Sequence, residues 1–357
     1  MKKITIQEIA KLSGVSVSTV SRVLNNSPSV SAVKRQKIQA IIDEHNYTPS
    51  VFARGMVNKQ TKNIGVILPD ISNPYFISLI TQIQKFALDY MFSTILFNTM
   101  LAEPNNKNNQ HPLTEEDYLK IILEKQVDGL LILGGEIDKE IVSKEYITAL
   151  NQLNKAIPVV VIGSKIPELN CLFIERNLKK GVTTLVSHLT ALGHKNIGFI
   201  GGEAGVKITT YRLESFKEAM ASYQHPINDD WVVLSDYYTA DGYAAMTQLL
   251  ENSATLPSAL VAINDNVAIN DNVAIGAIRA INDANLSCPE DIAIVSCDQF
   301  MNGDYQTPRL TSMDQHNEYL GKMAILQLIS AINGQVEPMI INHNPELIIR
   351  ESCGSKL

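Results

Sequence analysis

From Asn63 to Ser296 the chain repeats one local pattern: a short β-branched or aliphatic run, then a longer stretch with helical spacing, then another short run. The runs cover 64–68, 93–97, 129–133, 159–162, 197–200, 259–263 and 292–296. Each is nearly continuous in apolar character rather than alternating, which predicts strands buried on both faces. Strand, helix, strand alternation places each helix in a crossover between parallel strands, so the pattern predicts an α/β body with parallel sheets. Ligands of such folds bind at the carboxyl ends of the strands, and candidate site residues are to be sought there.

The first 62 residues lack these runs and carry a different charge. Ten bases (Lys2, Lys3, Lys11, Arg22, Lys34, Arg35, Lys37, Arg54, Lys59, Lys62) stand against three acids (Glu8, Asp43, Glu44), a net +7 in a chain whose formal charge is −7. The rest of the chain therefore carries −14. A basic head on an acidic body is the asymmetry of a nucleic-acid-binding module joined to a domain with another task. Thr5 is placed to cap a helix over 6–13, in which Ile6, Ile9, Ala10 and Leu12 recur at helical spacing, and Gly14 supplies a sharp turn. Ser16 then caps a second helix that turns Val20, Val23 and Leu24 inward and leaves Val17, Ser18, Ser21, Arg22 and Asn25 outside. Two short helices around a glycine turn make a helix-turn-helix, and an exposed Arg22 suits bidentate hydrogen bonding to guanine in the major groove. A third helix over 31–46 offers Val33, Ile38, Ile41 and Ile42 to close a small all-α core.

The run Ile4-Thr5-Ile6-Gln7-Glu8-Ile9-Ala10-Lys11-Leu12-Ser13-Gly14-Val15-Ser16-Val17-Ser18-Thr19-Val20-Ser21-Arg22-Val23-Leu24-Asn25-Asn26 resembles the DNA-binding head of the lactose-repressor/galactose-repressor family of bacterial transcriptional regulators. The resemblance implies that Val17, Ser18 and Arg22 read bases of double-stranded operator DNA. It likewise implies backbone contacts from Thr5, Ser16, Thr19, Ser21, Asn25, Ser31 and Tyr47. Ser50-Val51-Phe52-Ala53-Arg54-Gly55-Met56 resembles the family's hinge helix, which implies minor-groove contacts from Ala53, Arg54 and Met56. Met56 stands where Leu is usual, Ser50 replaces the usual Asn, and Gly55 lowers helix propensity. Methionine keeps the apolar bulk of a wedge but loses more rotamer entropy when fixed.

Pro69-Asp70-Ile71-Ser72-Asn73-Pro74-Tyr75-Phe76, the stretch from His188-Leu189 to Leu192-Gly193-His194-Lys195, and Pro289-Glu290-Asp291-Ile292 resemble the same family. Its body is similar to periplasmic sugar-binding proteins, with two lobes around a cleft. The resemblance implies a helix-turn-helix domain at 1–48 and a hinge helix and linker at 49–62. The N-terminal lobe would be 63–174 plus 317–343, and the C-terminal lobe 175–316 plus 344–357. A small carbohydrate effector needs bidentate polar groups for its hydroxyls and an aromatic face for its ring. The match suggests Arg212, Tyr237, Asn264, Asp298 and Gln315 from one lobe and Ile71, Asn73, Pro74 and Phe76 from the other. Gly163-Ser164 and Asn177-Leu178 depart from the family's usual acidic residues at those places. The implied protein is a cytoplasmic, homodimeric, sugar-responsive repressor of a carbohydrate operon; a global catabolite regulator activated by a phosphoprotein corepressor is the alternative. The dimer matches a pseudo-palindromic site, and no heptad tail follows Cys353.

Catalysis, cofactors and metals are not expected. No nucleophile elbow appears, Gly134-Gly135 and Gly201-Gly202 lack the partners of a phosphate loop, and Cys171, Cys288, Cys297 and Cys353 are too dispersed for a disulfide framework or a zinc knuckle. No run reaches the length of a membrane span, and the N-terminus lacks an apolar signal core. Residues 101–114, rich in Asn, read as an inserted solvent loop. Residues 261–266 read Val-Ala-Ile-Asn-Asp-Asn, and residues 267–272 read the same. Six residues preserve the period of a strand but rotate a helix by about 600°, roughly 120° out of phase. The insertion is therefore expected between strand and helix, with Asn264 kept at the strand end and 266–271 forming an enlarged loop or an added helical turn. Asn270 and Asp271 are the alternative cleft pair.

Overall fold

In the computed structural model the first helix, α1 (Ile6–Ser13), starts in a capping box: Glu8 N–H donates to Thr5 Oγ1, and Thr5 N–H donates to Glu8 Oε2 at 2.7 Å. Gly14 ends it at φ 68°, a left-handed conformation that favours glycine. Helix α2 (Val17–Leu24) follows after two residues, and α3 (Ala32–Glu44) completes the head. Ile9, Ala10, Val20, Val23, Ile38 and Ile42 form its core, with Leu24, Ile41 and Tyr47 packed at the edge. Leu12 and Val33 instead face outward, 54% and 78% exposed. Val33, five residues before Ile38, lies about 140° around its helix from it, and Leu12 lies about 60° from Ile9 on the side away from Ala10 and Ser13. The structure describes residues 4–24, 27–45, 47, 60–99, 113–264, 273–299, 306–335 and 344–355. The expected contacts at Asn25, Ala53, Arg54 and Met56, the departures at Ser50 and Gly55, and nearly all of the Asn-rich insertion lie outside them.

The chain divides into two units, Met1–Thr61 and Lys62–Leu357. The second unit holds two sheets. One has the order β2-β1-β3-β4-β5, built from β1 (Asn63–Leu68), β2 (Ser93–Asn98), β3 (Gly129–Ile132), β4 (Val159–Ile162) and β5 (Leu172–Ile174), all parallel. The other runs β11-β10-β9-β8-β6-β7, from β6 (Ile197–Ile200), β7 (Val232–Val233), β8 (Ala259–Ala262), β9 (Ala293–Ser296), β10 (Thr311–Asp314) and β11 (Glu346–Ile348). Only the edge strand β11 is antiparallel among them. The four strands β3, β4, β6 and β8 are buried at every position, as continuous apolar runs require.

Helices cover both faces of the first sheet. On one face α4 (Pro74–Asp89) and α11 (Asn317–Ile332) contribute Leu79, Ile83, Leu320, Ala324 and Leu328. On the other, α5 (Glu115–Glu124) and α6 (Lys144–Ala156) contribute Leu119, Ile122, Leu150 and Leu153. The second sheet is covered by α7 (Leu178–Ala191), α8 (Lys207–Ser222), α9 (Thr239–Asn252) and α10 (Val273–Asp283), which bury Leu185, Phe216, Met246 and Ile281 against it. The chain crosses between the sheets after β5, after β10 and again before β11, so the lobes share three connections.

Strand β8 ends with the first two residues of the duplicated hexapeptide, Val261 and Ala262, which are buried together with Ile263, and α10 begins at Val273, just past the second copy. The two ends are tied by one hydrogen bond, Val273 N–H donating to Asn264 Oδ1 at 3.3 Å. Residues 265–272, including Asn270 and Asp271, lie outside the described residues. The phase of α10 is set elsewhere. A Cβ on Gly276 would stand 2.0 Å from the Thr239 carbonyl oxygen, and one on Gly242 2.3 Å from the Val273 carbonyl oxygen, so α9 and α10 approach backbone to backbone. Any other face of α10 turned to α9 would place a side chain in that gap. Gly276→Ala is expected to cost about 1–3 kcal/mol by overpacking, read from the denaturation midpoint. A cost below about 0.5 kcal/mol would show that the helices can separate freely.

Among the described residues no helix is long and apolar enough to cross a membrane, and no group of three His, Cys, Asp or Glu is arranged to hold a metal ion.

Candidate functional site

The head presents one short polar surface. Val17 is 42% exposed, and Ser18 and Arg22 are exposed beside it on α2. Ser16 Oγ accepts from Thr19 N–H at 3.3 Å, capping α2, and lies 2.8 Å from Ser18 Oγ and 2.9 Å from Thr19 Oγ1. These hydroxyls are thus clustered at the amino end of the helix, where unsatisfied N–H groups favour an anion. Thr5 is engaged in its capping box, Ser21 is half-buried, and Ser31 precedes α3 without a side-chain cap bond. Tyr47 packs against the head core, and desolvation raises the pKa of its hydroxyl.

In the body, five sequence-predicted residues converge at the carboxyl ends of the second sheet. Arg212, on α8 after β6, is fully buried and bidentate to Asp298, with Nη1 to Oδ2 at 2.8 Å and Nη2 to Oδ1 at 2.7 Å. The same Nη1 donates to the Ile263 carbonyl at 2.5 Å. Asn264, just beyond β8, donates through Nδ2 to the Tyr237 carbonyl at 2.9 Å. Tyr237 Oη lies 2.7 Å from Thr209 Oγ1, and burial pushes its pKa up to about 12. Gln315, after β10, donates to the Cys297 carbonyl at 2.7 Å. A guanidinium and carboxylate fixed this way offer donors and acceptors in one plane, the geometry that hydroxyl recognition uses.

The opposite lobe differs from expectation in which residues it brings forward. Asn73 Oδ1 accepts from Tyr75 N–H at 3.0 Å and so caps α4, of which Pro74 is the first residue. Ile71 is 41% exposed at the end of β1, and Phe76 is buried in the lobe core. Sequence reasoning passed over Tyr75, Asp138 and Arg176. The Tyr75 hydroxyl is buried and has no hydrogen-bond partner in the structure. Arg176 lies over its ring, Cζ 4.8 Å from the centroid. Asp138 closes the single 3-10 turn after β3, and burial pushes its carboxyl up to about 6 against the opposing pull of Arg176 and Lys207. Tyr75 lines a cavity of about 660 Å³ together with Ser78, Asp298, Gln315, His316 and Asn317, and Arg176 lines a smaller recess with Gln315 and His316.

The lobes are latched along this cleft. Lys207 Nζ donates to the Ile137 carbonyl at 3.0 Å, Glu140 N–H donates to the Gly205 carbonyl at 2.9 Å, and Lys139 forms an antiparallel bridge with Val206. Thr210 Oγ1 donates to Glu140, and Tyr238 Oη donates to Asp70 Oδ2 at 3.0 Å. The latch closes on the amino end of α8, the helix that carries Arg212, so lobe movement and site geometry are mechanically joined.

Known proteins share this architecture. Residues 5–50 match the model of bacterial regulatory proteins of the lacI family, and residues 186–353 match the periplasmic binding protein-like domain. The HTH-type transcriptional repressor PurR of Pasteurella multocida (strain Pm70) is 32% identical over 99% of both chains. A lac repressor dimer bound to operator and the anti-inducer ONPF shares the fold at TM-score 0.83 and 24% identity, covering 99% of each chain. A LacI family regulator from Enterococcus faecium, solved with bound ribose, is 27% identical at TM-score 0.67 over 81% of this chain and 98% of that one. The chain belongs to the lacI family of bacterial regulatory proteins, and it is a DNA-binding transcriptional repressor rather than an enzyme.

Proposed function

We propose that this repressor binds a pseudo-palindromic operator as a homodimer and is released from it by a small carbohydrate held between the two lobes. The observation that carries the reading is the buried Arg212–Asp298 pair, surrounded by Asn264, Tyr237 and Gln315 at the strand ends. The Enterococcus faecium relative's ribose and the lac repressor's anti-inducer support a small-molecule site in this fold. Arg212, Tyr237, Asn264, Asp298 and Gln315 would meet the effector from one lobe, with Ile71, Phe76 and the end of β1 opposite. An effector that prefers one lobe arrangement shifts the population toward it and, through the connection to the head, changes operator affinity.

In the head, Val17, Ser18 and Arg22 would read bases, with Ser16, Thr19 and Ser21 fixing the phosphate backbone. Val17 and Ser18 are short, so Arg22 carries most of the discrimination. Arg22→Ala is expected to weaken operator binding by about 1–3 kcal/mol and to relax preference at a single guanine, measured by fluorescence anisotropy on single-base operator variants. Equal loss on every variant would reduce Arg22 to a phosphate contact. The effector reading is tested by titrating sugars into the operator complex: release by a sugar supports it, and loss of that release in Gln315→Ala assigns it to the cleft.

A further inference from the structure

We propose that the effector carries an anionic group, a carboxylate or a phosphate, received by Arg176 and the Tyr75 hydroxyl on the N-terminal side of the cleft. This rests on the carbohydrate reading above and specifies its chemistry. The charges that line the cleft are not evenly matched. Arg212 is bidentate to Asp298 and bonded to the Ile263 carbonyl, so the charges of that pair cancel. Lys207 is tied to the Ile137 carbonyl and shares the field of Asp138. Asp70 is engaged by Ser72 and Tyr238.

Arg176 is a further cation at this site, next to Glu175 in its recess, while Lys322 and Glu318 also line the larger cavity. Arg176 stands two residues after β5, is half-buried, and its side chain makes no hydrogen bond or ion pair with the described residues. Its guanidinium instead lies over Tyr75, and it shares a small recess with Gln315 and His316. A guanidinium presents five donors and no acceptor, and its planar fork matches the oxygens of a carboxylate or phosphate. The Tyr75 hydroxyl beside it is a second donor, buried and unpaired, where an uncompensated polar group is costly. Asp138 lies close enough for Arg176 and Lys207 to lower the pKa of its carboxyl against the larger effect of burial, but it forms no ion pair with either among the described residues. Tyr75 lines a cavity of about 660 Å³ that also touches Asp298, and Arg176 lies over the Tyr75 ring in the adjoining recess, so an acidic group would sit at one end of a ligand and its hydroxyls at the other. The neutral Gly163 at the end of β4, 3.5 Å from Asp138 Oδ1 by its ideal Cβ, adds no negative charge to oppose it.

The test uses the full-length protein and probes matched in skeleton: D-glucose, D-glucuronate and D-glucose 6-phosphate; D-galactose and D-galacturonate; D-ribose and D-ribose 5-phosphate. Thermal shift reports binding, and anisotropy on operator DNA reports release. The expected result is that a uronate or a sugar phosphate binds at least tenfold more tightly than its neutral parent, the two kinds of anion being separated by their own arms. Arg176→Gln is expected to remove at least tenfold of that preference, and Arg176→Lys, which keeps the charge but not the fork, is expected to retain part of it. A neutral sugar that binds as tightly as its acid overturns the anionic assignment and leaves the carbohydrate reading standing. An anion preference that survives in Arg176→Gln overturns the assignment to this residue. If no member of any set shifts melting or operator binding, the carbohydrate reading falls and this inference with it.

Discussion

Asp298→Ala is expected to destabilise the body by about 3–5 kcal/mol, the usual cost of removing one partner from a buried ion pair. The side chains of Arg212 and Asp298 are only 2% and 12% exposed, so the guanidinium has no water to fall back on. With Asp298 removed, Arg212 keeps a single acceptor, the Ile263 carbonyl, for a fully buried guanidinium. Chemical denaturation of the two proteins measures the difference directly. The double variant Arg212→Met with Asp298→Leu distinguishes the cost of a broken pair from the worth of the pair itself. Replacing both partners by apolar groups of similar size is expected to recover most of the lost stability while abolishing any effector response. Stability that stays as low in the double variant as in Asp298→Ala would show that the pair itself, not the orphaned charge, holds the strand ends together.

The second large effect is a pH dependence centred on Glu115. This residue opens α5, is 2% exposed, and accepts the Glu136 N–H at 3.0 Å. Burial pushes its carboxyl from 4.5 up to about 7, outweighing the Glu136 hydrogen bond and the nearby Tyr146 hydroxyl, while the charges of Glu136 and Asp138 push the same way. The folded protein therefore holds a proton that the unfolded chain releases between about pH 4.5 and 7. Its contribution makes stability fall as pH rises through that window, by about 3 kcal/mol in all, and stay level above it. Glu115→Gln keeps an oxygen for the Glu136 N–H and removes the ionisation. It is expected to match the wild type near pH 4.5 and to exceed it by up to about 3 kcal/mol at pH 8, measured by urea denaturation at both values. Equal pH profiles for the two proteins would mean that Glu115 is solvated in solution. The effect bears on function because Glu136 begins the 3-10 turn whose next residues, Ile137 to Glu140, form the latch to α8.

The elements of the fold that the chain announces are those whose signal is local. Residues 129–132 and 159–162 are apolar at every position, and both became strands buried on both faces. The head is equally plain: Thr5, Glu8 and Gly14 begin and end α1 by hydrogen bonding and backbone preference alone. Leu12 and Val33 are apolar yet exposed, because hydrophobic character does not by itself say which side of a short helix meets a neighbour. On the C-terminal side of the cleft, Asn264 and Asp298 stand just past well-marked strands, where the general rule for parallel sheets directs the search, and it was the family resemblance that singled them out.

Tyr75, Asp138 and Arg176 escaped the same reasoning for physical reasons. Strand β5, which delivers Arg176, is three residues long with Leu172 and Phe173 only half-buried, too short and too mixed to show a period. Asp138 sits in a 3-10 turn rather than at a strand end, and its raised carboxyl is a consequence of burial in the folded protein. Tyr75 lies within a motif that drew attention to its neighbours, and its unpaired hydroxyl is a property of the packed cleft. The duplicated hexapeptide divides along the same line. Its sequence requires the extra residues to fall between strand and helix, since six residues cannot be added to a helix without turning its face. The face itself is chosen by Gly276 meeting α9 at backbone distance.

By itself the sequence determined the two-part organisation, the parallel strands, the helix-turn-helix and the residues standing at the strand ends, because hydrophobic period, capping and charge act between neighbours in the chain. The tertiary structure alone decided that Arg212 meets Asp298 across 86 residues, that Lys207 and Glu140 latch the lobes, and that Arg176 lies over Tyr75, whose buried hydroxyl has no hydrogen-bond partner among the described residues. Those outcomes depend on distances between segments that no local pattern encodes, and burial then sets how strongly each charge and hydrogen bond counts.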